Sequence, residues 1–531
     1  MCQRTPGAEH GRVNETVAGL YLSPLEVLAL LGATALVMAR WLPTAARPPV
    51  TLAAGALLVP AASVLGVTSG IRWQMVPVLA GGAVALPFAL SPLLRSTGPL
   101  LLSRQRHNSH ISHTRHTRHS RHTSHCGHTA RPARRARWWL ALPGSAACLG
   151  LIATGPVAAW AFPVPVFPEP SGDYAVGTRV VQWTDPSRPE TFTPDPHDLR
   201  TVVVQLWYPA RDSPAGAQRA QYLGRTEHEA RTVSRALARG VGLPDFLIDG
   251  VPRARTRSVF DAPVAGGGGR FPVVLFSPGS GGVRTQNTAW AEELASHGYV
   301  VAALDHPYDS AAVVLADGRT IEAVTASSGD RDEDTELAAR WTAVRAADLG
   351  FVRTRLERMD RPDRGESADP LTGRLDTGRV AVAGHSLGGA AALQAARQDR
   401  RFDAVIDLDG YPHGPDSPVL AQPTLALTQA ITPGTDPRYL PRLTEALRRG
   451  TATSYRLTVP GAAHLTFMDG PLYLPPVPSV VGSLGRTRSP RVVAATTLAF
   501  LDATLRREPG DLVGTLSAYG ELSVYAPDDG R

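Results

Sequence analysis

The stretch Arg379–Gln398 reads RVAVAGHSLGGAAALQAARQ and joins a short apolar run to a helical run through the turn GHSLGG. A Gly-x-Ser-x-Gly sequence between a strand and a helix is typical of a nucleophile elbow, which lifts the serine hydroxyl above the edge of a sheet. Glycines flank the serine because a Cβ at either position would collide with the neighbouring strand or helix. We therefore predict that Ser386 is a catalytic nucleophile; the alternative is a glycine-rich turn in a noncatalytic fold or an inactive homologue.

Outward from this turn, residues 162–531 alternate between short apolar runs typical of buried strands and longer runs with helical periodicity. The predicted strands are Arg179–Trp183, Thr201–Trp207, Phe271–Phe276, Tyr299–Leu304, Arg379–Ala383, Ala404–Leu408, Pro423–Leu427 and Tyr455–Val459. The predicted helices are Thr288–Ser296, Thr335–Met359 and Ala390–Gln398. Apolar strands alternating with helices indicate an α/β domain with a mostly parallel sheet that carries helices on both faces.

A serine nucleophile needs a histidine that accepts its proton and a carboxylate that orients the histidine. Two histidines follow Ser386 in the chain, His413 in GYPHG and His464 in VPGAAHLTF. His464 is the predicted base, because a Gly-Ala loop after a strand suits an imidazole that reaches over the edge of the sheet. His413 follows its strand closely and is expected at the surface or at the rim of the pocket.

The orienting acid is sought between the nucleophile and the base, since that chain order is typical of folds built on this elbow. Asp407 and Asp409 alternate along AVIDLDG, and Asp409 stands beside Gly410, where the strand can end. Asp436 in TPGTDPR follows the next predicted strand and competes for the same role. The sequence favours Asp409 and leaves Asp436 open.

Backbone amides that bind a developing oxyanion are predicted on two elements. The start of the helix after the nucleophile provides Leu387, and the loop SPGSGG at Ser277–Gly282 provides Ser280. The glycines of this loop allow its amides to point inward. The alternative is an ordinary glycine-rich connection between a strand and a helix.

The N-terminal third of the chain differs in charge and hydropathy from the rest. All 54 basic residues are Arg; residues 1–161 carry a net charge of +12, and residues 162–531 carry −5. Four apolar stretches are about 20 residues long, which suffices to cross a bilayer: Pro24–Leu42, Val50–Ser69, Trp73–Leu94 and Trp138–Trp160. We predict a membrane region with four transmembrane helices at 1–161, with buried helices of a soluble domain as the alternative. Because the basic excess lies beside these stretches, it indicates membrane topology and no nucleic-acid partner.

The segment between the third and fourth apolar stretches has ten Arg residues, and eight His recur at every third position from His107 to His128. The positive-inside rule places this His/Arg-rich loop, residues 103–137, in the cytoplasm and residues 162–531 outside the cell. The histidines are typical either of a weak metal-binding or pH-responsive tract or of a low-complexity linker. The linker is favoured, because the spacing does not align the imidazoles on one helical face and the neighbouring Arg residues repel cations.

Four segments also resemble one family. They are LFSPGSGGVRTQNTAWAEELASHGYVVAALDHPYDS at 275–310, VAVAGHSLGGAAA at 380–392, RFDAVIDLDGYP at 401–412 and PGAAHLTF at 460–467. In this order they are similar to segments of the plasma-type platelet-activating factor acetylhydrolases and their bacterial relatives. The resemblance covers roughly Pro170–Leu505, and the chain departs from the family at Pro278-Gly279, where His-Gly is common.

The resemblance implies an α/β-hydrolase fold without a metal or another cofactor. It implies a nucleophile, an acid, a base and two oxyanion donors at Ser386, Asp409, His464, Ser280 and Leu387, respectively. Substrates of the relatives are short-acyl esters, including oxidised or short-chain phospholipids, so a small ester or lipid is the expected partner. Tyr222–Val264 is expected to form a helical flap over the pocket.

These features predict a multi-pass protein of the cell membrane with an extracytoplasmic serine esterase domain. One alternative is a membrane sensor or transporter-like protein with a metal-binding His tract and an accessory or inactive hydrolase domain. The apolar stretches contain Glu26 as their single acid, which argues against a polar translocation path. Another alternative keeps the hydrolase and changes its substrate to a peptide, a lactone or a polyester.

Overall fold

A computed structural model describes residues 21–43, 45–68, 70–96, 138–212, 216–324, 331–363, 368–414, 418–430 and 436–527. The chain divides into two compact units, one within Val13–Trp160 and the other within Ala161–Arg531. Each unit is described separately below.

The described residues of the N-terminal unit form four apolar helices. They are α1 (Pro24–Ala39), α2 (Arg47–Thr68), α3 (Val76–Ser96) and α4 (Trp138–Ala161). Among the described residues, three helical segments are long and apolar enough to cross a membrane: Arg47–Thr68, Trp73–Leu90 and Ala141–Ala161. The predicted count of four spans is therefore not confirmed, because α1 has 16 residues. Its length is about 24 Å, shorter than a hydrocarbon core of about 30 Å.

The start of α1 and its packing have local causes. Ser23 and Glu26 form a capping box around Pro24, which defines where the helix begins. A Cβ on Gly32 would lie 2.9 Å from the carbonyl oxygen of Ala54, so glycine permits the close approach of α1 and α2. The Glu26 carboxylate also pairs with Arg72 at 3.2 Å, and both side chains are buried. This pair connects α1 to the segment that precedes α3.

The second unit is organised around one large, twisted sheet. Its strands are β1 (Ala175–Pro189), β2 (Leu199–Ala210), β3 (Arg219–Gln221), β4 (Arg255–Phe260), β5 (Phe271–Ser277), β6 (Val300–Asp305), β9 (Leu375–His385), β10 (Ala404–Leu408), β11 (Thr424–Gln429), β12 (Ser454–Val459) and β13 (Glu521–Tyr525). The strands β7 (Ala312–Val314) and β8 (Thr320–Glu322) form a separate two-stranded ribbon. The order across the sheet is β13-β12-β11-β10-β9-β5-β6-β2-β1-β4-β3. The six strands from β12 to β6 run parallel. Strand β2 pairs antiparallel with both β6 and β1, and β13 pairs antiparallel with β12. Strand β1 pairs parallel with β4.

Helices cover both faces of this sheet. They are α5 (Glu227–Gly240), α6 (Thr288–Ser296), α7 (Arg331–Asp360), α8 (Leu387–Gln398), α9 (Tyr439–Arg448), α10 (Pro478–Val481), α11 (Gly485–Leu501) and α12 (Leu512–Ser517). Residues of α7, α8 and α9 share one buried apolar cluster with the sheet. Residues of α6, α11 and α12 share the cluster on the other face. The prediction of a mostly parallel sheet between two helical layers is confirmed.

The carboxyl ends of the parallel strands determine where a site can form. The strands β5, β9 and β10 end next to one another, because they are neighbours with the same direction. Loops after parallel strands therefore gather at one edge of the sheet, which is the usual place for a binding site in an α/β fold. The segments around Ser280, Ser386 and Asp409 follow β5, β9 and β10, and the loop with His464 follows β12.

Candidate active site

Ser386 lies in a strained turn between β9 and α8. Its backbone has φ 54° and ψ −122°, a left-handed conformation that is unfavourable for a residue with a Cβ. A Cβ on Gly384 would lie 2.1 Å from the carbonyl oxygen of Gly388, and a Cβ on Gly388 would lie 2.0 Å from that of Ser277. The Ser386 amide donates to the Leu408 carbonyl at 2.9 Å. The turn thus has the steric need for glycine that the sequence predicts.

Asp409 follows β10 directly and is held by three hydrogen bonds. Its Oδ2 lies 2.6 Å from Nδ1 of His464. Its Oδ1 accepts from the Gln429 amide at 2.9 Å and from the Tyr439 hydroxyl at 2.7 Å. The carboxylate is 1% exposed, whereas the imidazole of His464 is 41% exposed. The carboxylate can therefore orient the imidazole while the rest of the ring remains accessible from the pocket.

Asp436 and His413, the sequence alternatives to Asp409 and His464, contact other residues. Asp436 accepts from Arg438 at 2.9 Å and from the Tyr411 hydroxyl at 3.3 Å. The hydrogen bond from Arg438 lowers the pKa of Asp436 to about 2. The His413 ring lies 4.5 Å from the Tyr411 ring, and burial lowers the pKa of His413 to about 4. Both Asp436 and His413 line the pocket, and neither occupies the position of Asp409 or His464.

Asp407 is the second carboxylate of the sequence AVIDLDG, and it is fully buried. Its Oδ1 accepts from the Gly410 amide at 3.0 Å, while its Oδ2 has no hydrogen-bond partner within the part of the chain that the structure describes. Burial and, next, the charge of Asp409 raise the pKa of Asp407 well above its ordinary value. At any pH below this raised pKa, the Asp407 carboxyl is neutral.

We expect Asp407→Asn to stabilise the protein more at pH 8 than at pH 5. Between the ordinary and the raised pKa, the folded state binds a proton that the unfolded state lacks, so wild-type stability falls as the pH rises. Asparagine retains an acceptor for Gly410 and does not ionise. The difference in the free energy of unfolding between Asp407→Asn and wild type should increase by up to about 1.4 kcal/mol per pH unit. Urea titration of the detergent-solubilised proteins measures it. The exposed control Asp317→Asn should show no such increase, and an equal difference at both pH values for Asp407→Asn would contradict the interpretation.

One pocket of about 420 Å³ contains all five predicted site residues. Ser280 lies in the loop after β5, and Leu387 is the first residue of α8, directly after Ser386. The other residues that line the pocket are Asp334, Leu337, Ala338, Trp341, Gly410, Tyr411, His413, Gln429, Asp436 and Tyr439. A volume of this size accommodates a small organic ligand.

One wall of the pocket comes from α7, which the sequence predicts as a helix but does not connect with the site. Leu337, Ala338 and Trp341 lie on its first half, and the Trp341 ring stacks on that of Phe192 with 4.1 Å between centroids. The predicted flap Tyr222–Val264 contributes none of the residues that line this pocket. That prediction is wrong because α5 buries its apolar face in a separate cluster with residues such as Phe167.

A second Ser–His–Asp array lies beneath the loop that contains Ser280. The Ser277 hydroxyl lies 2.9 Å from Nε2 of His306, whose Nδ1 lies 2.8 Å from Asp348. All three side chains are fully buried, so they have no access to a substrate. Arg345 joins this array to the loop by donating to the Gly279 carbonyl at 2.9 Å and to that of Pro278. The array is therefore a support for the loop.

Metal ions in proteins are held by groups of His, Cys, Asp or Glu side chains. Within the described ranges, no group of three or more such side chains is arranged to hold a metal ion. The His tract between His107 and His128 lies outside the described residues, and the prediction about its metal binding stays untested.

Comparison with known proteins relates the second unit to ester hydrolases. Residues 161–508 match the family model described as platelet-activating factor acetylhydrolase, isoform II. The guinea pig (Cavia porcellus) platelet-activating factor acetylhydrolase is 33% identical over 28% of this chain and 37% of its own length. A probable 1-alkyl-2-acetylglycerophosphocholine esterase of Arthroderma benhamiae is 27% identical over 46% of this chain and 59% of its own length. The chain thus spans less than two thirds of these curated relatives.

A solved structure matches over a greater part of its length. The ferulic acid esterase from Streptomyces cinnamoneus is 31% identical, with a TM-score of 0.53, and the match covers 67% of this chain and 98% of the esterase. The shared region agrees with the mostly parallel sheet and its two helical layers.

Proposed function

The chain belongs to the platelet-activating factor acetylhydrolase, isoform II, family, and from this premise we propose that it is a serine hydrolase of carboxylic esters. The observation that carries the proposal is the hydrogen bond between Nδ1 of His464 and Oδ2 of Asp409, at 2.6 Å. Both residues line the pocket that also contains Ser386 with its strained backbone. A nucleophile, a base and an orienting acid are the groups that acyl transfer requires.

In the proposed reaction, His464 Nε2 accepts the Ser386 hydroxyl proton as the serine oxygen attacks the ester carbonyl. The Asp409 carboxylate accepts the Nδ1 hydrogen and stabilises the imidazolium that forms. The Ser280 and Leu387 amides donate to the oxyanion of the tetrahedral intermediate. The alcohol leaves with the proton from His464, and an acyl-enzyme remains. Water then gives a proton to His464 and attacks the acyl carbonyl, and the acid leaves as His464 returns that proton to the Ser386 oxygen.

We propose a short-acyl ester or a phospholipid as the substrate. The family and the 1-alkyl-2-acetylglycerophosphocholine esterase among the relatives support a lipid ester, and the pocket volume of about 420 Å³ supports a small acyl group. A fluorophosphonate probe tests the chemistry directly, because it reacts covalently with an activated serine. We expect hydrolysis of p-nitrophenyl acetate and an adduct on the peptide that contains Ser386; an unlabelled wild-type protein without esterase activity would overturn the proposal.

We also propose that the N-terminal helices anchor the enzyme in the cell membrane, with α1 as the first of four spans. The orientation does not depend on whether α1 crosses the bilayer. The segment 97–137 contains nine Arg residues and directly precedes α4, whose last 21 residues are long and apolar enough to span. The positive-inside rule holds this segment in the cytoplasm, so a single crossing by α4 leads to an extracytoplasmic domain at 162–531.

Protease added to intact cells is expected to remove an epitope at the C-terminus and to spare an epitope inserted in residues 103–137. The reason is that only the first epitope lies outside the permeability barrier in the proposed topology. Immunoblots before and after digestion measure both epitopes, and permeabilised cells, which should lose both, are the control. Protection of the C-terminal epitope in intact cells would refute this orientation.

A further inference from the structure

Three hydrogen bonds of two buried side chains connect the loop of Ser280 to the loop of His464. The Gly279 amide donates to Oε1 of Gln286 at 3.2 Å. Nε2 of the same Gln286 lies 2.9 Å from Nδ1 of His385, and Nε2 of His385 lies 3.0 Å from the backbone carbonyl oxygen of His464. The side chains of Gln286 and His385 are 5% and 2% exposed.

The partners determine the donor in each bond. Gln286 uses its carbonyl oxygen to accept from Gly279, so its NH₂ group donates to His385. Nδ1 of His385 is therefore the acceptor, and its Nε2 carries the hydrogen that the His464 carbonyl accepts. Burial and, next, the charge of His464 lower the pKa of His385 to about 3, which keeps the neutral tautomer at physiological pH.

We propose that Gln286 and His385 are positioning residues. They hold the loop of Ser280 (residues 277–282, the oxyanion loop) and the loop of His464 (residues 460–467, the base loop) in the spacing that acyl transfer requires. This inference rests on the proposed ester hydrolysis at Ser386. His385 is the first x of the Gly-x-Ser-x-Gly turn, so its backbone is part of the nucleophile elbow while its side chain reaches the loop of His464. One imidazole thereby contacts the segments that carry the nucleophile, the base and, through Gln286, the oxyanion donor.

The first residue of α6 and the two residues before it strengthen this connection. The Asp469 amide donates to the backbone carbonyl of Gln286 at 3.0 Å, and the Asn287 side chain donates to the backbone carbonyl of Phe467 at 2.7 Å. The Asp469 carboxylate in turn accepts from the Thr288 amide at 2.8 Å. The residues after His464 are thus bound to the residues that follow the oxyanion loop.

The oxyanion loop has a glycine where it passes Gln286. A Cβ on Gly282 would lie 2.1 Å from Oε1 of Gln286. A side chain at this position would displace the glutamine from the Gly279 amide. The close approach and the hydrogen bond together place Ser280, which lies between the two glycines, at the pocket. A loss of the bridge should therefore affect the transition state more than the binding of the substrate.

The test compares Gln286→Met, His385→Phe and His385→Gln with wild type in the full-length protein. Methionine and phenylalanine fill similar volumes without the bridging hydrogen bonds. We expect both to lower kcat for p-nitrophenyl acetate, and the fluorophosphonate labelling rate, by about 10- to 100-fold with KM within about threefold. In His385→Gln, the amide NH₂ can still donate to the His464 carbonyl, so kcat should lie between those of wild type and His385→Phe.

Gln205→Met is the matched control, because Gln205 is also buried and donates through its amide to Thr178 at 3.0 Å, away from the pocket. It should retain wild-type kcat. Wild-type kcat and labelling in folded Gln286→Met and His385→Phe would overturn the inference while the hydrolase itself stands. An unreactive wild-type protein would overturn the proposed function instead. If His385→Phe does not fold, Gln286→Met decides the question: a lowered kcat in that folded variant supports the inference, and a wild-type kcat overturns it.

Discussion

Ser386→Ala is expected to abolish fluorophosphonate labelling and to lower kcat for p-nitrophenyl acetate by about 10⁶-fold, the loss typical when a serine hydrolase loses its nucleophile. The physical reason is that alanine has no oxygen to form the acyl-enzyme, so the two-step route is closed. The Ser386 side chain is not required for the turn, because glycines at 384 and 388 provide its steric space. Thermal unfolding should therefore stay close to that of wild type.

Ser489→Ala is a suitable control for this experiment. Ser489 is buried in α11 and donates to the Gly485 carbonyl at 2.8 Å, so the change removes a serine hydroxyl from the core and leaves the pocket intact. It should keep wild-type labelling. A labelled, active Ser386→Ala protein with a native melting curve would disprove the assignment of the nucleophile.

Asp409→Asn is expected to lower kcat by about 10⁴-fold, whereas Asp436→Asn should change it less than about threefold. In Asp409→Asn, the amide oxygen can still accept from Gln429 and Tyr439, which directs the NH₂ group at Nδ1 of His464. Nδ1 must then accept, so Nε2 carries a hydrogen and cannot remove the Ser386 proton. The change thus reverses the tautomer of His464 while a side chain of similar size still fills position 409.

The comparison with Asp436→Asn distinguishes the two candidate acids. Asp436 pairs with Arg438 at the pocket rim, so its loss should leave the tautomer of His464 unchanged. Both variants are measured by kcat at a pH above the acid limb of the wild-type profile, with urea unfolding to confirm the native state. A greater loss of kcat in Asp436→Asn than in Asp409→Asn would reverse the assignment.

The N-terminal unit illustrates where hydropathy is a poor guide to element boundaries. The apolar stretch Pro24–Leu42 has the composition of a span, but helix α1 ends at Ala39. Hydropathy averages residues over a window and does not include the backbone geometry that ends a helix. The predicted stretches at 50–69, 73–94 and 138–160 correspond to apolar helical segments of 22, 18 and 21 residues, which are long enough to cross a membrane.

The support for the loop of Ser280 could not be anticipated from the sequence for a different reason. Ser277, His306 and Asp348 belong to β5, to the segment after β6 and to α7, and each is separated from the next by 29 or 42 residues. No periodicity links such positions. The segments DHPYDS and FSPGS contributed to the family resemblance, yet their residues acquire partners only after the strands pair.

The sequence by itself determined the elbow, the strand–helix alternation and the mostly parallel sheet. These features depend on local causes: the steric need for glycine beside Ser386, the apolar runs of strands and the periodicity of helices. Only the tertiary structure placed Asp409 rather than Asp436 beside His464, gave α7 the pocket wall and joined Gln286 to His385 across 99 residues. Such contacts follow from the order and direction of strands in the sheet, which bring together side chains that no short stretch of sequence relates.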